Sequence, residues 1–424
     1  MENALERVFE IVKTQNVWRR KECLNMIASE NVMSPLAEKV YVSDFEGRYN
    51  EHTEEPHYQG TRYSMKIELL ANAVFGEVFD TKFVDTRPIS GAVANLCVYH
   101  AFLKCGEIFI SPGLTAGAHV SSTRYGAAGV KELKSIPAFF DTENFVLDVD
   151  KAALLIEKLK PKLIMLGRSV FLFPEPIEEL RDIAGEKTII VYDAAHVFGL
   201  VYAGIFQRPF EEGADIITAS THKTFPGPQG GIIIGSASLG EDNWKKIEYA
   251  IFPGLLSNHH IHRLPALIVS ALEMNEYGKK YAEQIVKNAK ALGEALYEKG
   301  FKVLCEHKGF TETHQILVDV KSLGGGKVVA EKLEEANIIV NKIALPWDSD
   351  KDATRNPSGI RIGVQELTRF GMKEKEMEII AELFERVLVK GEKAEKIREE
   401  VKEFRKEFLE VHYCFDVPEK LELW

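Results

Sequence analysis

Between residue 61 and about residue 240, short unbroken apolar runs alternate with stretches whose apolar positions recur at helical spacing. The runs are Glu107–Ser111, Lys162–Leu166, Thr188–Tyr192, Asp215–Ala219 and Gly231–Gly235, rich in Ile and Val and without polar alternation. Strands covered on both faces read this way, because neither face meets water. Their alternation with helices predicts an α/β domain around a mostly parallel sheet. Upstream, Ala4–Val12 and Val17–Ile27 read as helices, and the stretch from Ala28 to about Thr61 as irregular. Downstream, Arg263–Gly300 reads as one long helix. Beyond it Phe301–Glu306, Thr313–Val320 and Ser358–Val364 read as strands set among charged helices, which predicts a smaller α+β domain.

The length of 424 residues supports more than one hydrophobic core. The expected division is an N-terminal helical arm and active-site loop over 1–60, a large α/β domain over 61–270, and the small domain over 271–424. The content of 45% hydrophobic and 28% charged residues is that of a globular protein. A formal net charge of −11 argues against nucleic acid or an anionic membrane as the main partner. The five cysteines (Cys23, Cys97, Cys105, Cys305 and Cys414) are scattered and form no CxxC pair, so reduced thiols in a cytoplasmic protein are expected. The N-terminus is charged throughout, unlike a signal peptide, and no apolar run reaches membrane-spanning length.

Three segments carry candidate chemistry. In Ser220-Thr-His-Lys223-Thr-Phe-Pro-Gly-Pro-Gln-Gly-Gly231 a lysine follows a buried strand and precedes a glycine-rich turn. Burial lowers a lysine's pKa and leaves the free amine that attacks an aldehyde carbon to form a Schiff base, although a lysine in an exposed turn would read alike. In Thr188–Leu200, Asp193 lies just past a strand with His196 three residues on. An aspartate there, one βαβ step before a Schiff-base lysine, suits a pyridinium nitrogen, or it caps the following helix. In Pro88-Ile-Ser90-Gly91-Ala92, a Ser-Gly turn opens an apolar helix whose free N–H groups suit a phosphate, or Ser90 is only an N-cap.

Together with Ile27–Asn31 (IASEN), Arg48-Tyr49-Asn50-Glu51, Tyr192–His196 (YDAAH) and Ser358–Gly363 (SGIRIG), these segments resemble serine hydroxymethyltransferase over nearly the whole chain. Ile251–Arg263 (IFPGLLSNHHIHR) resembles the archaeal branch, since most other members have a glycine-rich run there. The resemblance implies the type I fold of PLP-dependent transferases, a large domain with a seven-stranded sheet between helices and a smaller C-terminal domain. It implies pyridoxal 5′-phosphate (PLP) bound covalently to Lys223, and a homodimer with active sites at the subunit interface. Its substrates would be serine, glycine and a reduced pteridine of the tetrahydromethanopterin or tetrahydrofolate type.

The same resemblance implies individual roles. Asp193 meets the pyridine nitrogen, His119 stacks on the ring, and Ser169 and His196 face the ring's 3-oxygen and the substrate. Ser90, Gly91 and the partner's Tyr49 hold the phosphate, with Ser220 and His222 on the cofactor side beside Lys223. Arg361 binds the amino-acid carboxylate as a planar fork. Ser29, Tyr49 and Tyr58 border the substrate, and Glu51 handles the proton of the serine hydroxyl. The Cα–Cβ bond of serine then breaks, the one-carbon fragment passes to the pteridine, and glycine remains.

Departures from the family cluster near the substrate. The loop from Glu51 to Gly60 is one residue shorter and lacks a Lys-Arg pair, Val364 replaces a threonine, and Arg168 precedes Ser169 where small residues are usual. A pteridine-independent aldolase acting on threonine or allothreonine is the alternative, and a catalytically silent PLP protein a third reading. The run His259-His260-Ile-His262 matches no metal-ligand spacing, so no metal is expected.

Overall fold

The computed structural model describes residues 2–51 and 57–423. They fold into two compact units, one of Asn31–Ala282 with Tyr413–Trp424, the other of Met1–Glu30 with Glu283–His412.

The larger unit contains α1 (Arg62–Phe79), β1 (Val84–Asp85), α2 (Gly91–Phe102), β2 (Ile108–Pro112), β3 (Lys134–Ala138), β4 (Leu163–Leu166), β5 (Ile189–Asp193), β6 (Ile216–Ser220) and β7 (Gly231–Gly235), and the start of α3 (Arg263–Glu298). Its seven strands lie in the order β1-β7-β6-β5-β4-β2-β3. Neighbours from β3 to β6 are parallel, while β7 runs antiparallel to both β6 and β1. The sheet is thus mostly parallel, and five of its strands match the apolar runs read from the sequence. β1 is too short to show a pattern. β3 is an edge strand with an exposed lysine and a proline, so it lacks the apolar run of a central strand.

Phe109, Met165, Val191, Ile216 and Ile233 from the strands bury fully with Ala94, Cys97 and Val98 of α2 in one cluster. Each large apolar side chain removed from water there contributes about 1.5–3 kcal/mol. This packing fixes the strand ends, and with them the loops that follow.

The smaller unit holds an antiparallel sheet of β8 (Lys302–Val303), β9 (Gln315–Asp319), β10 (Asn341–Ile343) and β11 (Gly359–Gly363), ordered β8-β9-β11-β10, followed by the short α4 (Gln365–Arg369). The N-terminal segment differs from expectation. A helix over Glu2–Val17 continues as a single π turn, Trp18–Glu22, and the chain then becomes extended at Cys23. Leu24–Asn25 pairs in parallel with Ile338–Ile339, through Leu24 N–H to Asn337 O at 2.9 Å and Met26 N–H to Ile339 O at 2.8 Å. A helix over Val17–Ile27 would forfeit those bonds. The same pairing ties residues 1–30 to the smaller unit, where the sequence suggested a separate arm, and the unit boundary falls inside α3. Among the described residues no helix is long and apolar enough to cross a membrane.

Candidate active site

The carboxyl ends of the parallel strands carry most of the expected residues, the edge where open α/β sheets bind ligands. β6 ends at Ser220 and leads into a buried turn in which Thr221 Oγ1 donates to Pro228 O at 2.6 Å and Gly227 N–H to Thr221 O at 2.9 Å. Lys223 lies in this turn, only 8% exposed. Its carbonyl accepts from Asn31 Nδ2 at 2.5 Å, and that amide also reaches Tyr281 Oη at 2.9 Å. Thr224 Oγ1 donates to the carbonyl of buried His196 at 2.7 Å and accepts from Gly199 N–H at 3.0 Å. A Cβ on Gly199 would stand 2.3 Å from the Thr224 backbone, so glycine is required for this turn to pack against the one after β5.

Asp193 ends β5, and its partner in register on β6 is Thr218. Its carboxylate accepts from Ala195 N–H at 3.0 Å and from Asn95 Nδ2 at 2.7 Å. Asn95, on α2 and 1% exposed, also accepts from Thr218 Oγ1 at 2.6 Å and bonds Ser121 Oγ at 3.0 Å. Ser121 Oγ lies 2.8 Å from His119 Nδ1, which accepts from Ser121 N–H at 3.2 Å. One buried amide therefore links Asp193, β6 and the turn bearing His119. Ser169 N–H donates to Gly117 O at 2.8 Å, which brings Ser169 beside the same turn.

The start of α2 forms a cradle. Ser90 caps the helix by accepting from Val93 N–H at 3.2 Å. A Cβ on Gly91 would stand 2.6 Å from Ser220 Oγ, and one on Gly231 2.3 Å from Ser90 O. Glycine at both places lets the start of α2 approach the end of β6 and the start of β7 closely, which sets a helix N-terminus, suited to a phosphate, beside the Lys223 turn. His222 Nδ1 is buried with no hydrogen-bond partner among the described residues. Burial, with the neighbouring Lys223, pushes the His222 imidazole down to about 4. A helix N-terminus suited to an anion and an orphaned polar atom beside a buried lysine fit a phosphorylated aldehyde such as PLP.

Tyr49, Glu51 and Tyr58 form a second group in this unit. Tyr49 packs against Tyr58 with ring centroids 4.5 Å apart and planes tilted by 35°, and its hydroxyl is 3.1 Å from Ser257 Oγ. Glu51 Oε2 accepts from His57 N–H at 2.7 Å. The middle of the shortened loop, 52–56, lies outside the described residues. Arg361 and Ser29 belong to the smaller unit. Arg361 is buried mid-strand in β11, where Nε donates to Asn341 Oδ1 at 3.3 Å and burial pushes its guanidinium down to about 10. Gln365 Nε2 donates to Ile27 O at 2.9 Å and Glu30 O at 2.6 Å, so the segment bearing Ser29 packs at the end of the strand that carries Arg361.

Arg168 is a correction. The sequence grouped it with changes on the substrate side, yet its guanidinium is held by Glu175 through a buried fork of 2.6 and 2.7 Å and lies 4.5 Å from the Phe140 ring centre. It is 4% exposed and also donates to Phe145 O at 3.3 Å, so it serves interior packing. Val364 is fully buried ahead of α4. In the histidine run, His259 pairs with Glu68 and His262 with Glu46 at 2.7 Å. The sequence reading missed Asn95, Ser121 and Thr218. For Asn95 a signal existed: it is a lone amide inside the apolar helix that Ser90 opens.

The serine hydroxymethyltransferase family model matches residues 1–384. A serine hydroxymethyltransferase of Saccharolobus islandicus (strain M.14.25 / Kamchatka #1) is 51% identical over 422 residues, covering 99% of this chain and 96% of the relative. One of Staphylothermus marinus is 49% identical over 417 residues, covering 97% and 94%. Among solved structures, L-threonine transaldolase from Pseudomonas fluorescens in its internal aldimine state superposes with a TM-score of 0.89 at 28% identity, covering 99% of this chain and 97% of its own. With the mostly parallel sheet, the cradle at α2 and the buried lysine, these likenesses lead to one conclusion: the chain belongs to the serine hydroxymethyltransferase family and is a PLP-dependent one-carbon transferase.

Proposed function

We propose that Lys223 carries PLP and that this chain interconverts serine and glycine with a reduced pteridine, tetrahydromethanopterin or tetrahydrofolate in type, as the one-carbon carrier. The observation that carries the reading is a buried lysine just beyond β6 and, at the end of the neighbouring strand β5, Asp193 with its carboxylate held by Asn95 at 2.7 Å. Bound PLP supplies an aldehyde carbon for amines and a protonated ring that takes up the electron pair released at Cα.

Asp193, an acceptor-only group fixed by two donors, holds a proton at the ring nitrogen. Ser90 and Gly91 receive the phosphate at the α2 N-terminus, flanked by Ser220 and His222 and by Tyr49 of a second copy. His119, its Nδ1 tied to Ser121, covers the ring face. Ser169 and His196 meet the 3-oxygen and the substrate. Arg361 binds the substrate carboxylate, with Ser29 near it, and Glu51 exchanges the proton of the serine hydroxyl. Tyr58 lines the substrate side next to Tyr49.

A homodimer follows from the role given to Tyr49. It is supported by Leu5, Val8, Phe9, Ile11 and Val12, apolar residues exposed along the helix Glu2–Val17. The net charge and the free cysteines support a cytoplasmic protein without nucleic-acid partners. Borohydride reduction of the PLP-loaded protein followed by peptide mapping tests the anchor. The modification is expected on Lys223, and its appearance on another lysine contradicts the reading.

A second reading, a pteridine-independent aldolase for threonine or allothreonine, is favoured by the shortened loop after Glu51 and by the likeness to an L-threonine transaldolase. Substituting His57 and Tyr58 separates the two, since an aldolase would keep its rate.

A further inference from the structure

The histidine run has no part in the chemistry above, yet one of its members is buried with a carboxylate. His259 is 6% exposed and Glu68, on α1, 1% exposed, with His259 Nε2 bonded to Glu68 Oε1. Burying two ionisable groups is costly unless each finds a partner. Glu68 has a second donor, Asn50 Nδ2 at 2.6 Å, and Asn50 is itself 1% exposed. Burial lowers the pKa of His259, partly offset by Glu68, which favours a neutral ring with its hydrogen on Nε2. That tautomer accounts for Nδ1, which has no partner among the described residues, as a bare acceptor and not a stranded donor.

Directly before His259, the Asn258 side chain behaves like a strand. Its Nδ2 donates to Arg48 O at 3.0 Å, and its Oδ1 accepts from Asn50 N–H at 3.2 Å. One amide thus takes the carbonyl and the N–H on either side of Tyr49, as a paired residue does in a β-ladder. Ser257 Oγ meets Tyr49 Oη at 3.1 Å. Ser257 and Asn258 therefore hold residues 48 to 50 directly, His259 reaches Asn50 through Glu68, and Glu51 is the next in line.

We infer that Asn258, seated on the buried Glu68–His259 pair, is a positioning residue that fixes the Tyr49–Glu51 segment so that Glu51 meets the serine hydroxyl. The inference rests on the acid–base role proposed for Glu51.

The test is a double-mutant cycle in the full-length, PLP-loaded protein, with serine-to-glycine turnover measured for Asn258→Ala, Glu51→Gln and the double variant. Asn258→Ala should lower kcat about 10- to 100-fold, the scale of a misplaced catalytic group. In the Glu51→Gln background it should have no further effect, because the group it positions is already gone. Multiplicative losses, or an unchanged kcat in Asn258→Ala, overturn the inference. Should Glu51→Gln keep full activity, the acid–base reading of Glu51 fails, and with it the route by which Asn258 acts. His259→Gln, whose amide keeps a donor near the Nε2 position, should retain most of the kcat that His259→Ala loses. Equal loss in both would remove the Glu68–His259 pair from the account.

Discussion

Asp193 depends on two donors, the Ala195 amide and the Asn95 side chain, and only the second can be removed by substitution. Asn95→Ala should weaken PLP binding about tenfold, the equivalent of about one charge-assisted hydrogen bond, as read by titrating the visible band of the bound cofactor. Asn95→Asp should be worse, because two buried carboxylates then face each other and one must stay protonated. His222 gives a pH signature. Its folded pKa of about 4 lies below the ordinary histidine value of 6.5, so its contribution to stability is present above pH 6.5 and is lost as pH falls towards 4. The loss is about 3 kcal/mol at most. The melting temperature of the apo-protein should fall over that window, and His222→Gln should flatten the fall. Lys223, Asp193 and Ser90 were noticeable as candidates in the sequence, the first two because a charged group at the end of a buried strand is costly without a partner, the third because it opens an apolar helix. Ser121 and Thr218 were not, since serine and threonine occur everywhere and only the fold brings them to Asn95.

Elements with one environment along their length were the readable ones. β4 to β7 are buried on both faces and appear in the sequence as unbroken apolar runs, whereas edge strand β3 does not. The Val17–Ile27 segment misled for a related reason: its apolar residues suit a helix, but the parallel partner at Ile338–Ile339 is distant in sequence. Arg168 is the clearest prediction at this scale. Removing one partner of a buried fork leaves an uncompensated charge, so Arg168→Met should cost about 3–5 kcal/mol, while Arg168→Met with Glu175→Leu should cost much less. Thermal unfolding of both variants decides it. α4 offers a second case. Burial raises Glu366 to about 7, against the Asn25 bond at 2.7 Å. A carboxyl protonated more readily in the folded state stabilises at low pH, and that stability is lost as pH rises from about 4.5 through 7. Glu366→Gln should therefore remove a decline in melting temperature across that range.

At the scale of the molecule, the first thirty residues belong with the later part of the chain, where the sequence suggested a separate arm. Composition could not reveal it, because a two-strand bridge carries no local signature. The exposed apolar stripe of Leu5, Val8, Phe9, Ile11 and Val12 predicts a second chain against the N-terminal helix. Phe9→Glu with Val12→Glu should shift the sedimenting species from dimer to monomer and abolish turnover, because the proposal places Tyr49 in the site of the other copy. A variant that stays dimeric and active would refute that role for the helix. The central claim is the transfer of a one-carbon unit from serine to a pteridine at Lys223. Its most direct measurement is serine-to-glycine conversion by the PLP-loaded protein without pteridine, with tetrahydrofolate, and with tetrahydromethanopterin. The account predicts strong stimulation by one of the two carriers and none in Lys223→Ala. Turnover indifferent to both carriers, with allothreonine cleavage intact, would contradict it.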